Sequence, residues 1–359
     1  MSVADKFADL ICDWCLEVKP DQQILVWTTT LAEDAAVAVH NALLHRGAWP
    51  FLRLEPPGLE ADFLRHAQDR HLDFFAPLTL TELEAIDSTL RIIAPGNTNA
   101  MAGIDGSLLG RVARSRMPLQ EAMASRRWAL SIWPTPALAQ EARMGDREYA
   151  AFVERALFLD QADPADAWRA LSERQQALVE RLASAKEVRI ESDRTDLRLN
   201  VAGRTWINSN GRRNMPSGEV FTSPLENSAT GTIRFDVPSM NRGAEVSGVQ
   251  VTFAEGEVVE ARADVGDQQL QAALATDDGA RRLGELGIGT NTGIDRATGS
   301  TLLDEKIAGT IHLALGRSYP EAGGQNSSAI HWDLICDLRS GGQVTVDDEL
   351  LIQDGQLVG

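Results

Sequence analysis

The spacing of apolar residues changes about halfway along the chain. Gln23 to Trp27 (QILVW) is almost wholly apolar, the mark of a strand covered on both faces. Over Glu33 to His45 the pattern becomes helical, with Ala36, Val37, Val39, His40, Leu43 and Leu44 on one face and Gly47 as the stop. Trp49 to Leu54 is strand again. A strand, a helix and a strand in this order predict a βαβ unit and hence a parallel sheet. Leu90 to Ala94 and Trp128 to Trp133 extend that sheet, and helices are expected over Ala137 to Ala142, Arg147 to Leu159 and Asp166 to Ala183.

Beyond Lys186 short strands crowd together. They are read at Val188 to Glu191, Leu197 to Val201, Gly231 to Asp236, Val246 to Phe253 and Val258 to Ala263, the last two joined at a Glu255-Gly256 hairpin turn. One helix, Gln268 to Ala275, interrupts them. Thr310 to Leu315, Ile330 to Leu338, Gln343 to Val346 and Leu350 to Gln353 follow. The fold class expected is α/β: an N-terminal α/β domain with a parallel sheet over residues 1-185, then a β-rich α+β domain over 186-359.

Length agrees with that division, because 359 residues exceed what one core of typical size holds. A net charge of −18 repels phosphate, which excludes nucleic acid and anionic membrane as expected partners. The first residues, Met1-Ser-Val-Ala-Asp-Lys, lack an apolar signal core. Cys12 and Cys15 fall inside the first helix rather than after a strand, and Cys336 stands alone, so all three are read as packing thiols. Free thiols without a disulfide framework suit a cytoplasmic protein.

Candidate chemistry gathers in the second half. Glu219 follows Pro216 and Gly218, where loop becomes strand; a solvated loop glutamate would read the same way. Glu285 sits among Gly284, Gly287 and Gly289, which permit close approach of a ligand, although the local pattern leans toward a surface residue at a helix end. His312 shares one strand face with Thr310, Ala314 and Gly316, small neighbours that leave space beyond its ring; a packed core histidine is the competing reading. His331 and Asp333 are two apart on a strand, so both project from one face while Ile330, Trp332, Leu334 and Cys336 face the core. His40, His45, His66 and His71 read as structural or surface residues. Three carboxylates and two imidazoles make a nitrogen and oxygen donor set suited to zinc, cobalt or manganese.

These segments resemble the M29 metallopeptidases, the thermophilic-type aminopeptidases of the AmpS, AmpT and PepS group. The resemblance runs through nearly the whole chain, including Trp133-Pro-Thr-Pro-Ala-Leu-Ala-Gln-Glu-Ala and Ala167-Trp-Arg-Ala-Leu-Ser-Glu-Arg-Gln. It implies that Glu219, Glu285, His312, His331 and Asp333 bind two divalent metal ions (zinc, cobalt or manganese/magnesium) and that Tyr319 lies beside them. It also implies peptide substrates, release of N-terminal residues, and a homodimer. Tyr319 is the expected oxyanion donor and Glu219 the expected proton carrier. Compared with the family the stretch between Glu285 and His312 looks trimmed, which bears on pocket shape rather than on the ligands. Another metal-dependent amidohydrolase, or a metal-binding protein without activity, would share the same residues.

Overall fold

Consecutive apolar residues from Gln23 do build a parallel sheet. In the computed structural model, which describes residues 1–241 and 243–358, strands Gln23–Thr29, Trp49–Glu55, Ser88–Ile93 and Arg127–Ile132 pair in parallel. The order runs Trp49–Glu55, Gln23–Thr29, Ser88–Ile93, Arg127–Ile132, and a two-residue strand, Asn214–Met215, completes it in parallel. Helix Glu33–His45 makes the first crossover with the bounds its periodicity predicts. Its buried stripe is narrower than expected: Ala35, Ala36, Val39, Ala42 and Leu43 are covered, whereas Val37 and Leu44 stay exposed. Cys12 and Cys15 are buried in the helical turn Ile11–Cys15.

Two compact units divide the chain. One holds Met1–Trp168 with Gly211–Pro216, the other Arg169–Asn210 with Ser217–Gly359. The second unit carries two large antiparallel sheets and a two-stranded ribbon, Ser239–Asn241 with Ala244–Val246. Eight strands, in the order Glu257–Arg262, Val249–Ala254, Thr230–Phe235, Thr195–Asn200, Glu187–Ser192, Gln343–Val346, Glu349–Gln353 and Gln356–Leu357, form the larger one. The run Val246 to Phe253, read as one strand, is broken at Ser247-Gly248 into Ala244–Val246 and Val249–Ala254, because Gly248 adopts a left-handed φ of 62°. The Glu255-Gly256 hairpin forms as expected.

Five strands make the smaller sheet, ordered His331–Asp337, Thr310–Gly316, Leu283–Gly289, Glu219–Thr222 and Ile207–Ser209. Alternation gives each of its long strands one apolar face. Val220, Leu286, Ile288, Ile311, Leu313, Leu315, Trp332, Leu334 and Cys336 turn inward and share a single core with Val188, Ile190, Leu197, Ile233, Phe235, Val251 and Phe253 of the larger sheet. Every odd-numbered residue from Ile311 to Leu315 therefore packs, and every even one is left for the opposite face. Leu313 is wholly buried there. Leu313→Ala should cost about 2–5 kcal/mol of unfolding free energy, whereas Leu44→Ala on the exposed helix face should stay within about 0.5 kcal/mol. Denaturant titration of the two variants checks both values.

Candidate metal centre

The face left over by that alternation carries the candidate site residues. Register sets it: His312 stands opposite Gly287, Glu219 opposite Gly289, Glu285 and Asp333 opposite Ala314, and His331 opposite Gly316. Each functional side chain thus has a glycine or alanine as its cross-strand neighbour. At Gly287 the reason is close approach, since a Cβ there would lie 2.1 Å from the His312 ring. Glu285, whose local pattern leaned toward a surface position at a helix end, lies instead within the buried strand Leu283–Gly289. Three glycines in that strand conceal it from propensity, because glycine weakens strand patterning and its purpose here is tertiary.

All five sequence-derived candidates come together. His312 Nε2 is 3.3 Å from Glu219 Oε2 and 3.6 Å from Glu285 Oε1. His331 Nε2 is 3.1 Å from Glu285 Oε2 and 3.6 Å from Asp333 Oδ1. The Glu285 carboxylate therefore spans the two imidazoles, one oxygen toward each. Among the described residues, ligand-type atoms converge in three groups: Glu219, Glu285 and His312; Glu285, His331 and Asp333; Glu305, His312 and Asp333. No cysteine joins them.

Several of these atoms are buried without a hydrogen-bond partner: Glu219 Oε2, Asp333 Oδ1 and both ring nitrogens of His312. Unsatisfied buried polar atoms converging on one point are costly unless a cation or protons complete them. The donor set fits a divalent ion that accepts imidazole and carboxylate. His331 is oriented for the same purpose, since its Nδ1–H donates to the Arg317 carbonyl at 2.7 Å, which leaves Nε2 facing the carboxylates. Tyr319 lies where expected: its hydroxyl is 3.4 Å from His331 Nε2 and the two rings meet edge to face at 5.0 Å. Burial and the surrounding carboxylates push its phenol well above the ordinary tyrosine range, so it remains a proton donor.

Two residues at this site were not picked out from the sequence. Glu305 and Lys306 precede the His312 strand, and both are buried. Lys306 Nζ is 2.6 Å from Glu219 Oε1 and also bonds Glu305. An acidic and a basic residue side by side read as a solvated turn; the only local hint is that they abut a strand with no further charge. They fall in the segment read as trimmed, so that segment brings charge to the ligand cluster and does more than shape a pocket. Burial raises the Glu305 carboxyl to about 8, against the pull of the Lys306 charge. Burial disfavours the Lys306 ammonium, but Glu219 and Glu305 outweigh it and hold the charge on.

Residues 2–356 match the model of the thermophilic metalloproteases, M29. The chain belongs to the M29 family. Its members are hydrolases that act on peptides with divalent metal. Among M29 relatives, aminopeptidase T of Thermus aquaticus is 28% identical, over 99% of this chain and 96% of its own. Aminopeptidase 2 of Geobacillus stearothermophilus is 27% identical, over 92% and 91%. The solved AmpT of Thermus thermophilus shares the fold with a TM-score of 0.86 at 24% identity, covering 99% of both chains. A 2,5-dihydroxypyridine dioxygenase of Pseudomonas putida has the fold more loosely, at a TM-score of 0.60 and 14% identity over 100% of this chain and 98% of its own. No helix among the described residues is long and apolar enough to cross a membrane.

Protons hold the metal-free site together. Burial alone would lower both histidines, yet Glu285 with Glu219 lifts His312, and Glu285 with Asp333 lifts His331, each from 6.5 to about 9. Burial would likewise raise Glu285, but the two imidazoles hold it down at about 2. A raised histidine contributes stability that is fully present below its unfolded value and is lost as pH rises through the folded one. Chelator-stripped protein should therefore lose melting temperature between pH 6.5 and 9, the window those two histidines define. Thermal melts across this window are the check, and a flat profile would show that the imidazoles do not carry the protons.

Proposed function

We propose that the chain is an aminopeptidase that removes N-terminal residues from peptides with two divalent ions held on the polar face of the smaller sheet. The observation that carries this is the Glu285 carboxylate shared between two donor groups. Glu219, Glu285 and His312 would hold one ion, and Glu285, His331 and Asp333 the other. Zinc, cobalt, manganese or magnesium suits oxygen and imidazole donors. When bound, such ions polarise a carbonyl and make water acidic enough to attack near neutral pH.

The protein's own groups supply the rest. Tyr319 keeps its proton and stands beside His331, so it can donate a hydrogen bond to the oxyanion that develops at the attacked carbonyl. Glu219, the proton carrier expected from the sequence, has Oε1 held by Lys306 and Oε2 3.3 Å from His312 Nε2, so the geometry favours it as a metal ligand over a proton acceptor. The names of the M29 relatives support N-terminal specificity over cleavage at internal bonds. The family resemblance and the three free thiols support a homodimer in the cytoplasm.

Two experiments test this reading. Chelation should abolish hydrolysis of aminoacyl substrates, and zinc, cobalt or manganese should restore it; a free peptide should be cut and its N-acetylated form should not. Cleavage of the acetylated peptide would favour a different dinuclear amidohydrolase, and no hydrolysis with metal bound would leave a metal-binding protein. Separately, Tyr319→Phe should lower kcat by roughly 10²–10³ with metal content unchanged; unaltered turnover would reduce Tyr319 to a packing residue.

A further inference from the structure

Lys306 is only 1% exposed, and its ammonium is paired with the Glu219 and Glu305 carboxylates. A lysine so far from water is retained only where its charge is matched. Here it does something geometric as well. Its ammonium occupies Glu219 Oε1 at 2.6 Å, and the other oxygen, Oε2, is left without a donor, 3.3 Å from His312 Nε2. One oxygen is tied down and the other is aimed at the ligand cluster.

The fold fixes both partners through a shared residue. Asn291 donates its backbone N–H to the Lys306 carbonyl at 2.9 Å, and its side-chain amide donates to the Ser217 carbonyl at 2.9 Å, two residues before Glu219. Lys306 N–H itself donates to Leu303 at 3.1 Å. The segment can lie this close because of Gly289, where a Cβ would meet the Ile307 carbonyl oxygen at 2.1 Å. On the other flank Gln175 donates to the carbonyls of Ser209 and Glu219, which holds the backbone that carries the carboxylate. Glu305 takes up the remaining reach of the ammonium, so the lysine has a defined place and little freedom to leave it.

We propose that Lys306 is a positioning residue: it clamps Oε1 of Glu219 so that Glu219 engages metal through Oε2 alone, and it thereby sets the affinity of the Glu219–His312 half of the site. This rests on the two-ion reading above. Lys306 bonds Glu219 and Glu305, and reaches the His331–Asp333 half only through Glu305, whose carboxylate converges with Asp333 and His312; the role proposed here is the one through Glu219.

Cobalt titration of chelator-stripped full-length protein tests it, by calorimetry and by the visible absorption of the bound ion. Wild type should take up two ions. Lys306→Met should bind one as wild type does and the other about 10–100-fold more weakly, with an altered absorption band for the weakened ion. In a Glu219→Gln background the same lysine substitution should cost no further affinity, because the group it positions is already neutral. Should Lys306→Met alone not fold, Glu219→Gln and the double variant decide the matter by that comparison. Equal weakening of both ions, wild-type affinity and spectrum in Lys306→Met, or an undiminished loss in the Glu219→Gln background would each overturn the positioning role. Wild type that binds fewer than two ions overturns the site reading and this inference with it; two ions in wild type and an unchanged Lys306→Met overturns this inference alone.

Discussion

Charge withdrawn from water must be matched by opposite charge, and the polar face of the smaller sheet concentrates that demand. Glu219, Glu285, Glu305 and Asp333 are buried within reach of two imidazoles and one ammonium. Isolated carboxylates in such surroundings would cost several kcal/mol each. In the absence of metal the cluster can be neutralised by protons on His312 and His331, and the direction of their shifts reflects this. Divalent ions held there, as proposed, would answer the same need with the protons displaced, so metal and proton would compete for this face.

The cluster is precise because it borrows rigidity from the core behind it. Along Thr310–Gly316 the residues that hold the site and those that pack the interior alternate without a gap, so His312 cannot shift without disturbing Ile311 and Leu313. Glycine and alanine on the neighbouring strands provide the room that the functional groups need.

Much of this could be read from the chain before folding. The βαβ start, the long helix that ends at Leu182 and the strands bearing His312 and His331 follow from periodicity, which reports local burial faithfully when one face packs. His331 and Asp333 were legible as a pair because a strand repeats every second residue. The strand of Glu285 was hidden by glycines that admit partners distant in sequence: Gly287 the His312 ring, Gly284 the Arg317 carbonyl and Gly289 the Ile307 carbonyl. Glu305 and Lys306 were hidden for a related reason: adjacent opposite charges resemble a solvated turn, and only the return of the chain to Glu219 buries them. Val37 and Leu44 erred the other way, since the sheet covers a narrower stripe of their helix than its apolar residues span.

The detour of Gly211–Pro216 has a consequence for synthesis. The parallel sheet has its first four strands by Ile132, yet its fifth, Asn214–Met215, arrives only after the second unit has begun. On a ribosome that unit would wait with the Arg127–Ile132 edge unpaired while more than eighty further residues emerge. An open edge of β backbone is a site for pairing with other chains. The interval between those two strands is thus a window in which Leu130 and Ser131, the two residues that Asn214–Met215 pairs, stay open on the nascent protein.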